Sequence, residues 1–166
     1  WLARDYLDDD IVLIEADLLF EANLIRQLIQ HPASSVAVVD QFQDPMDGTV
    51  IVAEESIASS MVLKKDQGPQ FNYEPALKTV NVYKLSRSTM RNLVIPELSR
   101  RVKNGNTDLY YEAIFADLIA EQRLQMSVLR IGSLKWAEVD TIDDLFAAQV
   151  MFGRKPTATE HPALNR

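Results

Sequence analysis

Lys135-Trp136-Ala137-Glu138-Val139-Asp140-Thr141-Ile142-Asp143-Asp144-Leu145-Phe146-Ala147-Ala148 runs an aromatic residue and two acids straight into an amphipathic helix. Thr141 has the chemistry of an N-cap, whose hydroxyl accepts from the backbone of the first turn. Asp143 and Asp144 sit where the helix dipole favours negative charge, and Leu145, Ala148 and Phe152 recur at helical spacing. Asp140 therefore lies just before a helix N-terminus, held by a rigid element yet pointing off its end. A carboxylate so placed suits a hard-cation ligand whose other partners come from elsewhere in the chain. The same residues also suit an ordinary capped surface helix.

Near the other end, Asp10-Ile11-Val12-Leu13-Ile14-Glu15-Ala16-Asp17 contains four consecutive aliphatic residues without alternation. That pattern predicts a strand over Ile11 to Ala16, buried on both faces and ending on Asp17. Ligands of open α/β sheets bind beyond the carboxyl ends of strands, so an acid in this place is positioned for chemistry. A turn or capping aspartate is the competing reading.

Three motifs in order resemble the nucleotidyltransferase superfamily, which includes sugar-phosphate pyrophosphorylases and the phosphocholine and phosphonate cytidylyltransferases. The strand ending in Asp17 is similar to that family's first metal-binding aspartate. Lys78-Thr79-Val80-Asn81-Val82-Tyr83-Lys84-Leu85-Ser86 is similar to its substrate-side strand, and Trp136-Ala137-Glu138-Val139-Asp140 to its second metal site. Tyr110-Tyr111-Glu112 resembles the cytidylyltransferase branch. The resemblance runs from about Asp10 to Phe152, with two departures. Ala16 stands where the family has Gly, and the glycine-rich nucleotide loop with its basic residues is absent. The fold it implies is a three-layer, Rossmann-like mixed α/β sheet, incomplete at the N-terminus. Residues 1–152 would form the partial nucleotidyltransferase domain and 153–166 a polar, Pro-containing tail or linker, the whole belonging to a longer polypeptide with a fused partner domain.

Composition bounds the class. The 166 residues are 47% hydrophobic and 25% charged, ordinary globular values that support one packed domain. A formal net charge of −7 disfavours nucleic acid and anionic membrane surfaces, both of which call for basic patches. The absence of cysteine excludes disulfides, thiolate catalysis and thiolate-bound zinc, and fits a reducing compartment such as the cytoplasm. No apolar run is long enough to span a bilayer.

In chain order, strand-like and helix-like segments alternate, as expected for an α/β sheet. Glu21 to His31 reads as an amphipathic helix stopped by Pro32, and Ser35 to Val39 as a buried strand. Val50-Ile51-Val52 and Met61-Val62-Leu63 read as a hairpin forming an inserted, lid-like sheet. Leu77 to Leu85 is a further strand, and Ser86 to Lys103 a helix that Pro96 should kink or break. Asn104-Gly105-Asn106 ends that helix, Asp108 is read as the cap of another over Tyr110 to Glu121, and Leu124 to Ile131 returns as a strand.

Nucleotidyl transfer brings two anions together, so the chemistry needs a divalent cation, Mg²⁺, and two carboxylates suffice to hold it. By the resemblance these are Asp17 and Asp140, with Glu138 as a further acidic partner. Lys78 would supply charge to the acceptor's phosphoryl group, and Asn81 would line the same strand. Tyr110, Tyr111, Trp136 and Glu112 offer ring faces and a carboxylate to an ammonium group, although tyrosines opening a helix also serve as packing residues. His31 and His161 are poorly placed for metal or base roles. The expected substrates are CTP and phosphocholine or a small aminoalkyl phosphonate, with pyrophosphate released. A sugar-1-phosphate nucleotidyltransferase and a catalytically idle interaction module are the alternatives.

Overall fold

The computed structural model describes residues 1–153, so the segment read as a tail, with His161, lies outside the described residues. Strands β1 (Ile11–Ile14), β2 (Leu18–Phe20), β3 (Ser35–Gln41), β4 (Val50–Glu54), β5 (Ile57–Val62), β6 (Ala76–Leu85), β7 (Ser127–Arg130) and β8 (Trp136–Glu138) are interleaved with helices. The helices are α1 (Asn23–Gln30), α2 (Arg87–Thr89), α3 (Ile95–Lys103), α4 (Glu112–Ala120) and α5 (Ile142–Met151).

β6 is the longest strand, and every residue of it except Lys84 is buried. One edge pairs antiparallel with β3 from Ser35↔Leu85 to Gln41↔Leu77. The other edge is divided. β1 takes its C-terminal end, from Ile11↔Leu85 to Ile14↔Val82, and β4 takes its N-terminal end, from Val50↔Lys78 to Val52↔Ala76. β3 continues into parallel β7, β7 touches β5 through Ile57↔Ser127, and β5 returns to β4 as a hairpin. Because β4 pairs with both β5 and β6, the mixed sheet rolls into a closed, barrel-like loop with β1 on its outside. The predicted hairpin is therefore real, but it is a wall of the main sheet and not a lid.

Side-chain alternation divides this sheet between two helix layers. Val36 and Val38 of β3, with Val80 and Val82 of β6, pack on Leu24 and Leu28 of α1. Ala37, Val39, Tyr83 and Leu85 face the opposite way, onto Ile114, Phe115 and Leu118 of α4 and Met90 and Val94 beside α3. The three-layer mixed α/β class expected from the sequence is the observed one. A second, two-stranded sheet, β2 with β8, lies outside those expectations.

Three local expectations change. The first strand ends at Ile14 and is an antiparallel edge strand: Ile11 and Leu13 pack inward while Val12 (37%) and Ile14 (44%) are exposed. An aliphatic run without alternation fits burial on two faces, but this strand has a neighbour on one edge and helix cover on one face only. Pro96 does not break the helical run, which continues through it. A π turn over Met90–Val94 bridges α2 and α3, with Ile95 N–H bonded to the Met90 carbonyl, and Pro96, which has no N–H, enters at the start of α3. At α4 the N-cap position is Tyr111, without a side-chain cap, and not Asp108. The Thr141 cap is as read: its side chain accepts from Asp144 N–H while Asp144 reaches back to Thr141 N–H, a reciprocal capping box. No helix among the described residues is long and apolar enough to cross a membrane.

Phe115 is 1% exposed and lies 5.3 Å from the Tyr83 ring and 5.5 Å from the Tyr111 ring, so it joins the core to the site described below. Phe115→Ala should lower unfolding free energy by about 3–5 kcal/mol. Ile29→Ala, at a position 60% exposed, should change it by less than about 0.5 kcal/mol. Urea denaturation of both variants measures the contrast.

Candidate active site

The site forms where β6 changes partners. Beyond Ile14↔Val82 the edge of β6 leaves β1, and it does not meet β4 until Val50↔Lys78. Two bonds span the opening: Glu15 N–H to the Asn81 carbonyl at 3.3 Å and Thr79 N–H to the Thr49 carbonyl at 3.1 Å. At the opening the β3 register also slips, between Ala37 and Val39, and Asn81 adopts φ +57°. Asn is among the few non-glycine residues that tolerate this left-handed region. Its side-chain amide then bridges inward, accepting from the Thr79 hydroxyl at 2.8 Å and donating to Glu138 Oε1 at 3.2 Å.

The small sheet brings the distant acidic motif to the same opening. Leu18↔Glu138 and Phe20↔Trp136 are cross-strand pairs, and Val139 N–H donates to the Asp17 carbonyl at 2.9 Å. Carboxylate oxygens of Glu15, Asp17 and Glu138 consequently lie within 4.8 Å of one another. Asp140 lines the same cavity, whose volume is about 570 Å³, together with Lys78, Asn81 and Tyr110. Of the acids named in the sequence, Asp17 and Glu138 are thus brought together, joined by Glu15, while Asp140 lines the cavity outside this group of three. Glu15 was missed, though its signal was present: Glu15-Ala16-Asp17 places two acids at i and i+2, on one side of an extended chain.

Lys78 is buried at the back of this cavity. Its ammonium lies 3.5 Å from Glu138 Oε2, donates to the Thr79 carbonyl at 2.9 Å and sits 6.0 Å from the centre of the Trp136 ring. One buried cation faces several acids, and the balance is visible in proton affinities. Burial raises the Glu138 carboxyl above the usual range, against the pull of Lys78 and with the repulsion of Asp140 and Asp17. Burial likewise raises Glu15; the Tyr111 hydroxyl, donating to it at 2.7 Å, opposes the shift, and Glu112, Asp17 and Glu138 add to it.

The residues read as an ammonium site are divided by the structure. Tyr110 is 74% exposed at the cavity rim. Tyr111 is bonded to Glu15. Glu112 is buried, with Oε2 accepting from the Thr49 hydroxyl at 2.6 Å and Oε1 from the Tyr83 hydroxyl at 2.8 Å. Trp136 donates its indole N–H to Asp40 at 2.7 Å and lines a neighbouring cavity of about 570 Å³, which shares Lys78, Glu138 and Asp140 with the first. Asp40 and Thr49 carried no signal in the sequence, because only the paired strands bring them to the site.

Over 155 residues, 91% of this chain, the sequence is 32% identical to a CMP-5'-(3-aminopropyl)phosphonate synthase from Streptomyces rubellomurinus. This chain spans 24% of that protein's length. Among solved structures, the CTP:phosphocholine cytidylyltransferase from Streptococcus pneumoniae superposes with a TM-score of 0.69 at 16% identity, over 91% of this chain and 60% of that one. The inositol-1-phosphate CTP transferase from T. maritima superposes with a TM-score of 0.63 at 14% identity, over 93% and 62%. The fold is that of the nucleotidyltransferases. No family model matches the chain. The superfamily resemblance, carried in the sequence by three short motifs, extends through the nucleotidyltransferase fold across the described α/β unit.

Raised carboxyl affinities have a definite sign in stability. A folded state that holds the Glu15 proton more tightly than the unfolded chain loses stability as pH rises from the ordinary Glu value of 4.5 through the raised one. The penalty is fully present above that range and absent below 4.5. Glu15→Gln removes it while leaving Tyr111 an acceptor. The variant should therefore melt higher than wild type at neutral pH without divalent ions, and the difference should vanish at about pH 4. Calorimetric scans across that pH range measure it.

Proposed function

We propose that this chain carries the acceptor and metal side of a cytidylyltransferase site, in which CMP passes from CTP to a small aminoalkyl phosphonate or phosphocholine and pyrophosphate leaves. The observation that supports it most is the convergence of Glu15, Asp17, Glu138 and Asp140 on one cavity backed by the buried ammonium of Lys78. The relation to an aminopropylphosphonate-activating protein adds the substrate class.

The donor set fits Mg²⁺. Its atoms are hard, anionic oxygens, burial and mutual repulsion raise two of the acids, and no protein hydrogen-bond donor reaches the Asp17 carboxylate among the described residues. Asp17 and Asp140 would hold the ion, with Glu138 beside them. When bound, the ion supplies the positive charge that lets two anionic reactants approach.

The protein's own groups do the rest. Lys78 faces the acceptor's phosphoryl or phosphonate group, its ammonium aimed by the Thr79 carbonyl and Glu138. Asn81 holds Glu138 from the other oxygen, so this carboxylate presents a single orientation. The rim ring of Tyr110, the Glu15 carboxylate and, across the shared wall, Trp136 offer a cationic tail cation–π and ionic contacts. The nucleotide side is thinner: the 166 residues hold no glycine-rich basic loop of the kind that wraps a triphosphate with backbone N–H groups. The compartment proposed is the cytoplasm, consistent with a chain without cysteine.

The test is pyrophosphate release by the polypeptide that carries this chain, with CTP, Mg²⁺ and, separately, an aminoalkyl phosphonate, phosphocholine and a hexose 1-phosphate. Cationic acceptors should give the highest kcat/KM. Asp17→Asn and Asp140→Asn should each lower kcat at least about a hundredfold, the scale of losing several kcal/mol of charge stabilisation. A hexose 1-phosphate as best acceptor would overturn the substrate class, and full activity in both aspartate variants would overturn the metal assignment. The 166-residue chain alone should show no micromolar CTP affinity by calorimetry.

A further inference from the structure

Glu112 is a buried carboxylate that forms no ion pair among the described residues: both oxygens accept from neutral hydroxyls, those of Thr49 and Tyr83. Such a group is costly to bury. Its two partners lie on either side of the opening in β6. Tyr83 stands two residues beyond Asn81. Thr49 reaches the residue two before it, since the Thr49 carbonyl accepts from Thr79 N–H at 3.1 Å with the Thr79 hydroxyl 3.0 Å away. Glu112 therefore clamps both flanks of Asn81, directly at Tyr83 and through Thr49 at Thr79. The left-handed conformation of Asn81 costs free energy and persists only where its surroundings over-determine it. From Asn81 the chain of bonds continues to Glu138. Gly48, next to Thr49, packs so closely on Lys78 that a Cβ added there would come 3.0 Å from its Nζ.

We propose that Glu112 is a positioning residue, which acts through Thr49, Tyr83 and Asn81 to orient the Glu138 carboxylate and to seat the Gly48–Thr49 wall against Lys78. The inference rests on the function proposed above, but the role is distinct from that of an ammonium ligand. Glu112 lines the cavity, but each of its oxygens already accepts a short bond, from Thr49 or from Tyr83, and the role assigned to it is to hold those two partners. Its influence falls on every acceptor equally, because Glu138 and Lys78 face the part that all acceptors share.

Three variants of the polypeptide that carries this chain test it: Thr49→Val, which is isosteric and removes one hydroxyl, Glu112→Ala, and Glu112→Gln. Thr49→Val and Glu112→Ala should lower kcat by about 10–100-fold, the usual loss when a partner behind a site is removed, for cationic and neutral acceptors alike. KM for CTP should be unchanged. Glu112→Gln, which keeps an acceptor for one hydroxyl and a donor for the other, should recover most of the activity lost in Glu112→Ala. Crystal structures of Thr49→Val should show the Asn81 amide turned away from Glu138. This readout stands if the wild type transfers nucleotide to no acceptor, an outcome that defeats the proposed function alone. A rise in KM confined to cationic acceptors in Glu112→Gln would make Glu112 a direct ligand and overturn the proposal. So would a Thr49→Val variant with wild-type kcat and an unmoved Asn81, which also decides the matter if Glu112→Ala fails to fold.

Discussion

A strand edge can hydrogen-bond to one neighbour at a time, and the edge of Ala76–Leu85 passes from one neighbour to another partway along its length. The opening between Ile11–Ile14 and Val50–Glu54 follows from that handover, and the features of the candidate site lie around it. Glu15 and Asp17 are there because the first strand stops at Val82. Thr49 is there because the fourth begins at Lys78. Asn81 is left-handed at the same place because the strand must change twist and register to serve both neighbours.

The opening would be a defect if polar groups were left unpaired in it, since buried backbone and side-chain groups require partners. Here Thr49, Thr79, Asn81, Tyr83 and Glu112 satisfy one another in a connected set. The set ends at Glu138 and leaves the charged groups facing the cavity. Inside a low-dielectric fold such a network has few alternative arrangements, so it both rigidifies the wall and aims the acids.

Electrostatics works against stability at this place and in favour of cation binding. Glu15, Asp17, Glu138 and Asp140 surround a cavity with one fully buried ammonium, and the proton affinities of Glu15 and Glu138 rise in response. Behind the cluster stands a packed core, with Tyr83, Phe115 and Tyr111 in mutual ring contact. The aromatic trio does double duty, since the hydroxyls of Tyr83 and Tyr111 end on Glu112 and Glu15.

Local chemistry was readable in order along the chain: the Thr141 cap, the amphipathic face read over Glu21 to His31, the buried runs at Ser35 to Val39 and Leu77 to Leu85, and the acids Asp17, Glu138 and Asp140. These depend on periodicity and on neighbours a few residues away, which a sequence displays directly. Which faces are covered depends on distant partners. The first strand reads as doubly buried yet lies at an edge, the hairpin reads as a lid yet closes the sheet, and the bonds of Glu112 to Thr49 and Tyr83 join residues far apart in the chain. Trp136 and Tyr110, grouped by chemistry, line different cavities because antiparallel pairing with Phe20 turns the indole toward Asp40. By itself the sequence determined the fold class and which residues carry charge to the strand ends. Only the tertiary structure decided which of those charges meet, because strand pairing and register, set by contacts between residues far apart in the chain, determine where each side chain points.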